Sequence, residues 1–269
     1  MRILAIDSSG LVASAALLED EDLIAEYTIH YKKTHSQTLL PMLEEIRKMT
    51  ELDLHSIDAI AVAGGPGSFT GLRIGSATAK GLAQGLDKPI IEVPTLEGLA
   101  FQLYGTNALV CPLMDARRNQ VYAGIYEFIF NSDMYEMKPV MDGACCLLPE
   151  VVAKLNDLGR EVILNGDGVQ AYRDTLTQTL RVPYTFAPAN RRLQSAAAVG
   201  TLAFHYAAQG KFVTAAAHKP EYFRLSQAER ELQELRQREE AKAARETARE
   251  QNPEKRVKED GQEAARDEA

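Results

Sequence analysis

The chain runs through the same order of elements twice, and this repetition constrains its fold more than any single motif. Residues 2–7 read as a strand ending in Asp7, followed by a Ser-Ser-Gly turn at 8–10, a strand at 12–18, an acidic turn at 19–22 and a third strand at 23–31. The order returns 108 positions later, where a strand at 108–114 runs into Asp115, a polar turn at 116–120 and a strand at 121–130. Each opening is followed by helix, strand and helix. In the first half Leu39, Met42, Leu43, Ile46 and Met49 recur at helical spacing, residues 57–63 form a strand, a helix runs to about Leu86, and a strand at 88–93 precedes a helix at 95–104 with Thr95 as N-cap. In the second half a helix at 149–158, a strand at 161–165 and helices at 169–180 and 195–209 complete the set. Strands alternating with helices predict parallel pairing, and two such copies predict a duplicated α/β architecture. Thr34-His35-Ser36-Gln37 has capping-box form, but Pro41 requires that this helix either kinks or starts later.

The Gly-rich run GGPGSFTGLRIG at 64–75 joins a strand to a helix and fails each phosphate-loop template. Gly71 is followed by Leu72-Arg73 rather than Lys-Ser or Lys-Thr, and Thr70 stands where the dinucleotide fingerprint needs its last glycine. Pro66 and Thr70 flank Ser68 where a nucleophile elbow needs glycines, so Ser68 has no local case as a nucleophile. The run reads as a tight turn in preference to a strand-to-helix turn whose backbone amides hold an anion at a helix N-terminus. Gly71, Gly75, Gly81 and Gly85 in the helix after it each cost about 1 kcal/mol relative to alanine. Gly71, Gly75, Thr78, Leu82 and Gly85 share one face, a smooth stripe suited to close packing on the chain's own sheet or on a partner helix.

The two Asp-bearing turns invite comparison with the actin-like fold of sugar kinases, actin and chaperone ATPases, in which paired hairpins wrap nucleotide phosphates. Asp7-Ser8-Ser9 is a fair first hairpin and a candidate phosphate contact, whereas Asp115-Ala116-Arg117-Arg118-Asn119 places bulky side chains where glycine belongs. Leu164-Asn165-Gly166-Asp167-Gly168 stands where such folds hold adenosine, although Gly-rich strand-to-helix turns are common. The five histidines form no i, i+4 ligand pair, and no metal site is expected.

Net charge is −8, which argues against a chain that binds nucleic acid unaided. Residues 227–269 hold 13 acidic and 10 basic side chains, so the tail carries −3 of that charge and the rest of the chain −5. Lacking sustained apolar heptads, the tail reads as a solvated helix or a mobile segment. Three cysteines, two of them adjacent, suit neither a disulfide framework nor a zinc site. The opening residues leave no room for a signal peptide, and no apolar run is long enough for a membrane span. A cytoplasmic protein without membrane contact is expected.

GGPGSFTGLRIGSATAKGLA, the opening ILAIDSS, THSQTLLPML, PIIEVPT and Pro220-Glu221-Tyr222-Phe223-Arg224 together resemble the TsaB (YeaZ) family over about residues 1–228. The resemblance implies a two-lobed actin-like (ASKHA, ribonuclease H-like) fold with lobes at 1–106 and 107–226, followed by the charged tail at 227–269. It also implies a non-catalytic scaffold role in making N6-threonylcarbamoyladenosine in tRNAs that read ANN codons. The implied partners are the catalytic paralogue TsaD and the ATPase TsaE, with tRNA met through the complex. The paralogue's metal-binding His-x-x-x-His is replaced here by Val93-Pro94-Thr95-Leu96-Glu97-Gly98-Leu99. Family members pair through two N-terminal-lobe helices, which here implies an interface of Leu39, Leu43, Ile46, Gly71, Gly75, Thr78 and Leu82, or a homodimer through the same face without the partner. No cofactor of the chain's own is expected, while ATP or ADP at the partner interface stays open. An active ATPase or kinase of the actin-like group and a peptidase are the alternative readings.

Overall fold

The computed structural model describes residues 1–20, 22–31, 33–224 and Arg236. Its strands form two five-stranded sheets. The first contains β1 (Arg2–Asp7), β2 (Ala13–Glu19), β3 (Asp22–Ile29), β4 (Ala59–Gly65) and β5 (Ile90–Pro94) in the order β3-β2-β1-β4-β5. The second contains β6 (Leu109–Asp115), β7 (Gln120–Asn131), β8 (Met134–Leu147), β9 (Val162–Asn165) and β10 (Tyr184–Phe186) in the order β10-β9-β6-β7-β8, the same arrangement read from the other edge. In each sheet the first three strands form an antiparallel meander, the fourth pairs in parallel with the first, and the fifth in parallel with the fourth. The duplicated α/β fold expected from the repeated order is therefore present, and it is of the actin-like, ribonuclease H-like class.

Strand alternation divides the interior into three layers. Leu4, Ile6, Leu17, Ile60 and Val62 point outward from the first sheet and meet α1 (His35–Met49) and α2 (Phe69–Leu86). Ile3, Ala5, Ala16, Leu18 and Ala61 point the other way, into a central core with α3 (Thr95–Phe101), α7 (Ala196–Ala208) and Val110, Met114, Tyr126 and Phe128 of the second sheet. Leu109, Cys111, Leu113 and Ile125 form the third layer with α4 (Leu148–Leu158), α5 (Gly168–Ala171) and α6 (Arg173–Thr179). Residues 1–223 make one compact unit. A boundary at residue 106 separates the two sheets, but α7, expected within the second lobe, returns to pack on β1 and β2. Its first amides are all satisfied: Ala196 N donates to Ser14 Oγ, Ala197 N to Glu26 Oε1 and Ala198 N to Ser195 Oγ.

Several local expectations change. The helix containing Pro41 starts at His35, and the Thr34 side chain makes no capping bond. Thr95 is the first residue of α3 rather than its cap, and its buried hydroxyl has no partner. The helix expected at 169–180 is interrupted at Tyr172, whose φ is −118°. Among the described residues no helix is long and apolar enough to cross a membrane. The expectations for 227–269 lie outside the described residues, Arg236 excepted.

Candidate functional site

The first hairpin and the Gly-rich loop form one interlocked node. Asp7, at the end of β1, is 2 % exposed, and its Oδ1 accepts from Ser9 N at 2.9 Å and Ser9 Oγ at 2.6 Å. Burial pushes the Asp7 carboxyl up to about 6, and the two Ser9 hydrogen bonds only partly oppose this. Ser8 Oγ donates to the Gly71 carbonyl at 2.8 Å, and Ser68 N donates to the Ser9 carbonyl at 2.7 Å. The approach is so close that a Cβ at Gly71 would fall 2.1 Å from the Ser8 carbonyl oxygen, one at Gly75 2.5 Å from Ser8 Oγ, and one at Gly67 2.3 Å from the Ser9 carbonyl oxygen. Ser68 Oγ accepts from Gly71 N as the cap of α2, which gives this serine a structural role.

The second hairpin is closed by its own charges. Asp115 Oδ1 accepts from Arg117 N at 2.8 Å and from the Tyr172 hydroxyl at 3.3 Å, and Oδ2 pairs with the Arg117 guanidinium at 3.3 Å. Arg117, Arg118 and Asn119 all have φ between 55° and 65°, a left-handed run that glycine would adopt without penalty. Across from it, burial pushes the Asp167 carboxyl up to about 6, with the Asp115 charge adding to the effect. Gly166 and Gly168 are required by the backbone of Leu113, against which a Cβ at either would fall at 2.1 Å and 3.0 Å.

These residues do not fit the paired phosphate clamp of actin-like nucleotide enzymes. Ser8 and Ser9 are buried with their hydroxyls committed to Gly71 and Asp7, the Asp7 carboxyl is itself buried and bound to Ser9, and Arg117 and Arg118 stand in the second turn where glycines belong. Asp7, Ser8 and Ser9, the expected phosphate contacts, are thus bound within the chain itself. Among the described residues no cluster of three His, Cys, Asp or Glu side chains could hold a metal ion.

The residues expected at a partner interface point partly inward. Leu39 and Ile46 are fully buried and Leu43 is nearly so, all within the core beneath α1. Gly71 and Gly75 face Ser8, Leu82 packs partly on the same core, and the half-exposed Thr78 donates its hydroxyl to Ile74 O. The stripe thus descends into the fold at its N-terminal end and emerges only toward Gly85. The solvent side of α2 instead carries Arg73, Ala77, Gly81, Gln84 and Gly85, and a Cβ at Gly81 or Gly85 would meet nothing within 4 Å. On α1 the exposed apolar groups are Leu40, Pro41 and Met49, with Leu40 57 % and Met49 70 % exposed.

One element that packs on this region carries no periodic signal in the sequence. Residues 213–223 strap the edge of the first sheet: Val213 exchanges both backbone hydrogen bonds with Ile90, and Glu221 N donates to Gly64 O at 2.7 Å. His218 is buried with Nδ1 2.5 Å from Glu92 Oε1. Tyr222 stacks on Phe69 at 4.4 Å, and the Arg73 guanidinium covers Phe69 from 4.1 Å. The strap therefore clamps the Gly-rich loop onto the start of α2.

Comparison with known proteins follows the same lines. The family model described as TsaD, tRNA N6-adenosine threonylcarbamoyltransferase, matches residues 22–231. The tRNA threonylcarbamoyladenosine biosynthesis protein TsaB of Bacillus subtilis (strain 168) is 35 % identical over 180 residues, covering 67 % of this chain and 77 % of that protein. Its counterpart in Escherichia coli (strain K12) is 36 % identical over 177 residues, 65 % of this chain and 74 % of that protein. Among solved structures, YeaZ from Pseudomonas aeruginosa superposes with a TM-score of 0.69 at 30 % identity, over 82 % of this chain and 99 % of that one. With these relatives sharing both sequence and fold over most of its length, the chain belongs to the TsaB (YeaZ) family.

Proposed function

We propose that this chain serves the formation of N6-threonylcarbamoyladenosine in tRNA as a non-catalytic subunit, pairing with the paralogue TsaD through the solvent faces of α1 and α2. The observation that carries this reading is the open face of α2. Gly81, in the helix interior, costs about 1 kcal/mol of helix stability, and no packing within the described chain requires glycine there or at Gly85 in the last turn. Ala77 extends the same low surface, and Leu40 and Met49 supply exposed apolar groups on α1. A second backbone laid along Gly81 and Gly85 accounts for them. The blocked hairpins support the non-catalytic half of the reading. The acidic charge of −8 fits a subunit that leaves tRNA contact to its partners, with TsaE completing the assembly.

The test is reconstitution of the modification with TsaD, TsaE and a source of threonylcarbamoyl-adenylate, with and without this chain. Product should form only when the chain is present. Gly81→Leu should abolish co-purification with TsaD while circular dichroism stays unchanged. Equal product without the chain, or turnover by the chain alone, overturns the proposal.

A further inference from the structure

A cavity of about 1350 Å³ lies beside the first sheet, lined by β2 and β3, by α7, by Phe101, Gln102 and Tyr104, and by the 189–195 loop. Neither hairpin turn nor the solvent faces of α1 and α2 line it, so it is separate from the features described above. Its wall contains an anomaly. Gln194 is 2 % exposed, and neither Nε2 nor Oε1 has a hydrogen-bond partner. The amide rests against Gly10, where a Cβ would fall 2.1 Å from Nε2. A buried carboxamide with both ends unsatisfied is unfavourable, and no hydrogen bond must break for it to turn from Gly10 into the cavity that its residue lines.

The chemistry of the wall selects the ligand. The exposed Tyr104 and the half-buried Phe204 offer aromatic surface for a planar ring. A glutamine amide presents one donor beside one acceptor, the complement of the N6 amino group and N7 of adenine, whereas guanine presents two acceptors on that edge. Charge argues against phosphate. Arg191 is opposed by Asp20 and Glu26 in the lining, and the N-terminus of α7 is already capped by Ser14, Glu26 and Ser195. We propose that this cavity binds an uncharged adenine nucleoside, with Gln194 turned inward to read the adenine edge. The proposal does not rest on the pairing with TsaD.

Calorimetric titration of the full chain with adenosine, guanosine and ATP tests it. Adenosine should bind, with guanosine and ATP at least about tenfold weaker. Gln194→Leu should weaken adenosine binding at least about tenfold without lowering the unfolding midpoint. Thr201→Phe, substituted at an exposed cavity-lining position on α7, should block binding while leaving circular dichroism unchanged. Absence of adenosine binding up to about 1 mM, tighter binding of ATP, or wild-type affinity in both variants overturns the proposal.

Discussion

Ser8 decides the identity of two residues more than sixty positions away. Its carbonyl lies where the Cβ of Gly71 would be, so alanine there forces backbone apart, and alanine at Gly75 displaces the Ser8 hydroxyl from its hydrogen bond to Gly71 O. Gly71→Ala and Gly75→Ala should each destabilise the chain by about 1–3 kcal/mol in urea unfolding. Gly81→Ala, with open space around it, should stabilise by up to about 1 kcal/mol. Opposite signs for the inward and outward glycines are the outcome that checks the assignment. Helical spacing groups Gly71, Gly75 and Gly85 on one face but does not reveal which of them has a backbone lying across it, because that contact comes from the far end of β1. Asp7 offers a second residue-scale test. Its carboxyl ionises at about 6 in the fold against 3.8 for a free side chain, so the folded state retains a proton that the unfolded chain has released. Stability is highest below about pH 4 for this group and falls as pH rises toward 6, by up to roughly 3 kcal/mol. Asp7→Asn removes the ionisation while keeping an acceptor for Ser9, and should stabilise at about pH 7.5 with little gain at about pH 4. A gain of equal size at both values would mean that ionisation of Asp7 is not its source.

At the scale of elements, the strap of residues 213–223 is what holds the Gly-rich loop in place. Tyr222 stacked on Phe69 and Phe69 beneath Arg73 are contacts worth about 0.5–1.5 kcal/mol each. Tyr222→Ala should raise amide hydrogen exchange across residues 64–71 by about tenfold, while exchange in β6 stays unchanged. Tyr222→Phe keeps the ring and should behave as wild type apart from losing the 3.3 Å contact from Arg73 Nε to its hydroxyl. Equal exchange in all three proteins would show that the strap does not secure the loop. The end of α2 near Leu86 was legible from sequence, whereas its start was not; in the structure Ser68 caps it and Asp87 closes it in a left-handed conformation. β8 was not legible, because Pro139 and Gly143 interrupt its alternation. Both are tolerated since β8 is an edge strand that pairs only with β7, with register shifts in β7 near Pro139. β10 spans three residues, too few for any period to register. The break at Tyr172 leaves no sequence mark, since neither glycine nor proline stands there.

Across the whole unit of residues 1–223, the repeated strand order foretold two matching sheets but not how they share an interior. The partial signal was α7 itself: a helix apolar on nearly every side belongs between two layers rather than on a surface. Its buried residues meet Ile3, Ala5 and Leu18 of the first sheet within a core that also contains Val110 and Met114 of the second. Gly200 sits at the tightest point, where a Cβ would fall 2.2 Å from Leu18 Cδ1 and 3.1 Å from Ala5 Cβ. Gly200→Ala would ask only that the end of the Leu18 side chain shift, but Gly200→Val adds methyl groups that also press on Ala5. It should destabilise by about 1–3 kcal/mol. Because one core joins both sheets, that loss cannot remain within the first lobe. Protection of β6 amides against hydrogen exchange should fall in step with that of β1, and urea should still unfold residues 1–223 in a single transition. If β1 loses protection while β6 keeps it, the sheets are separate cooperative units and α7 belongs energetically to the first alone.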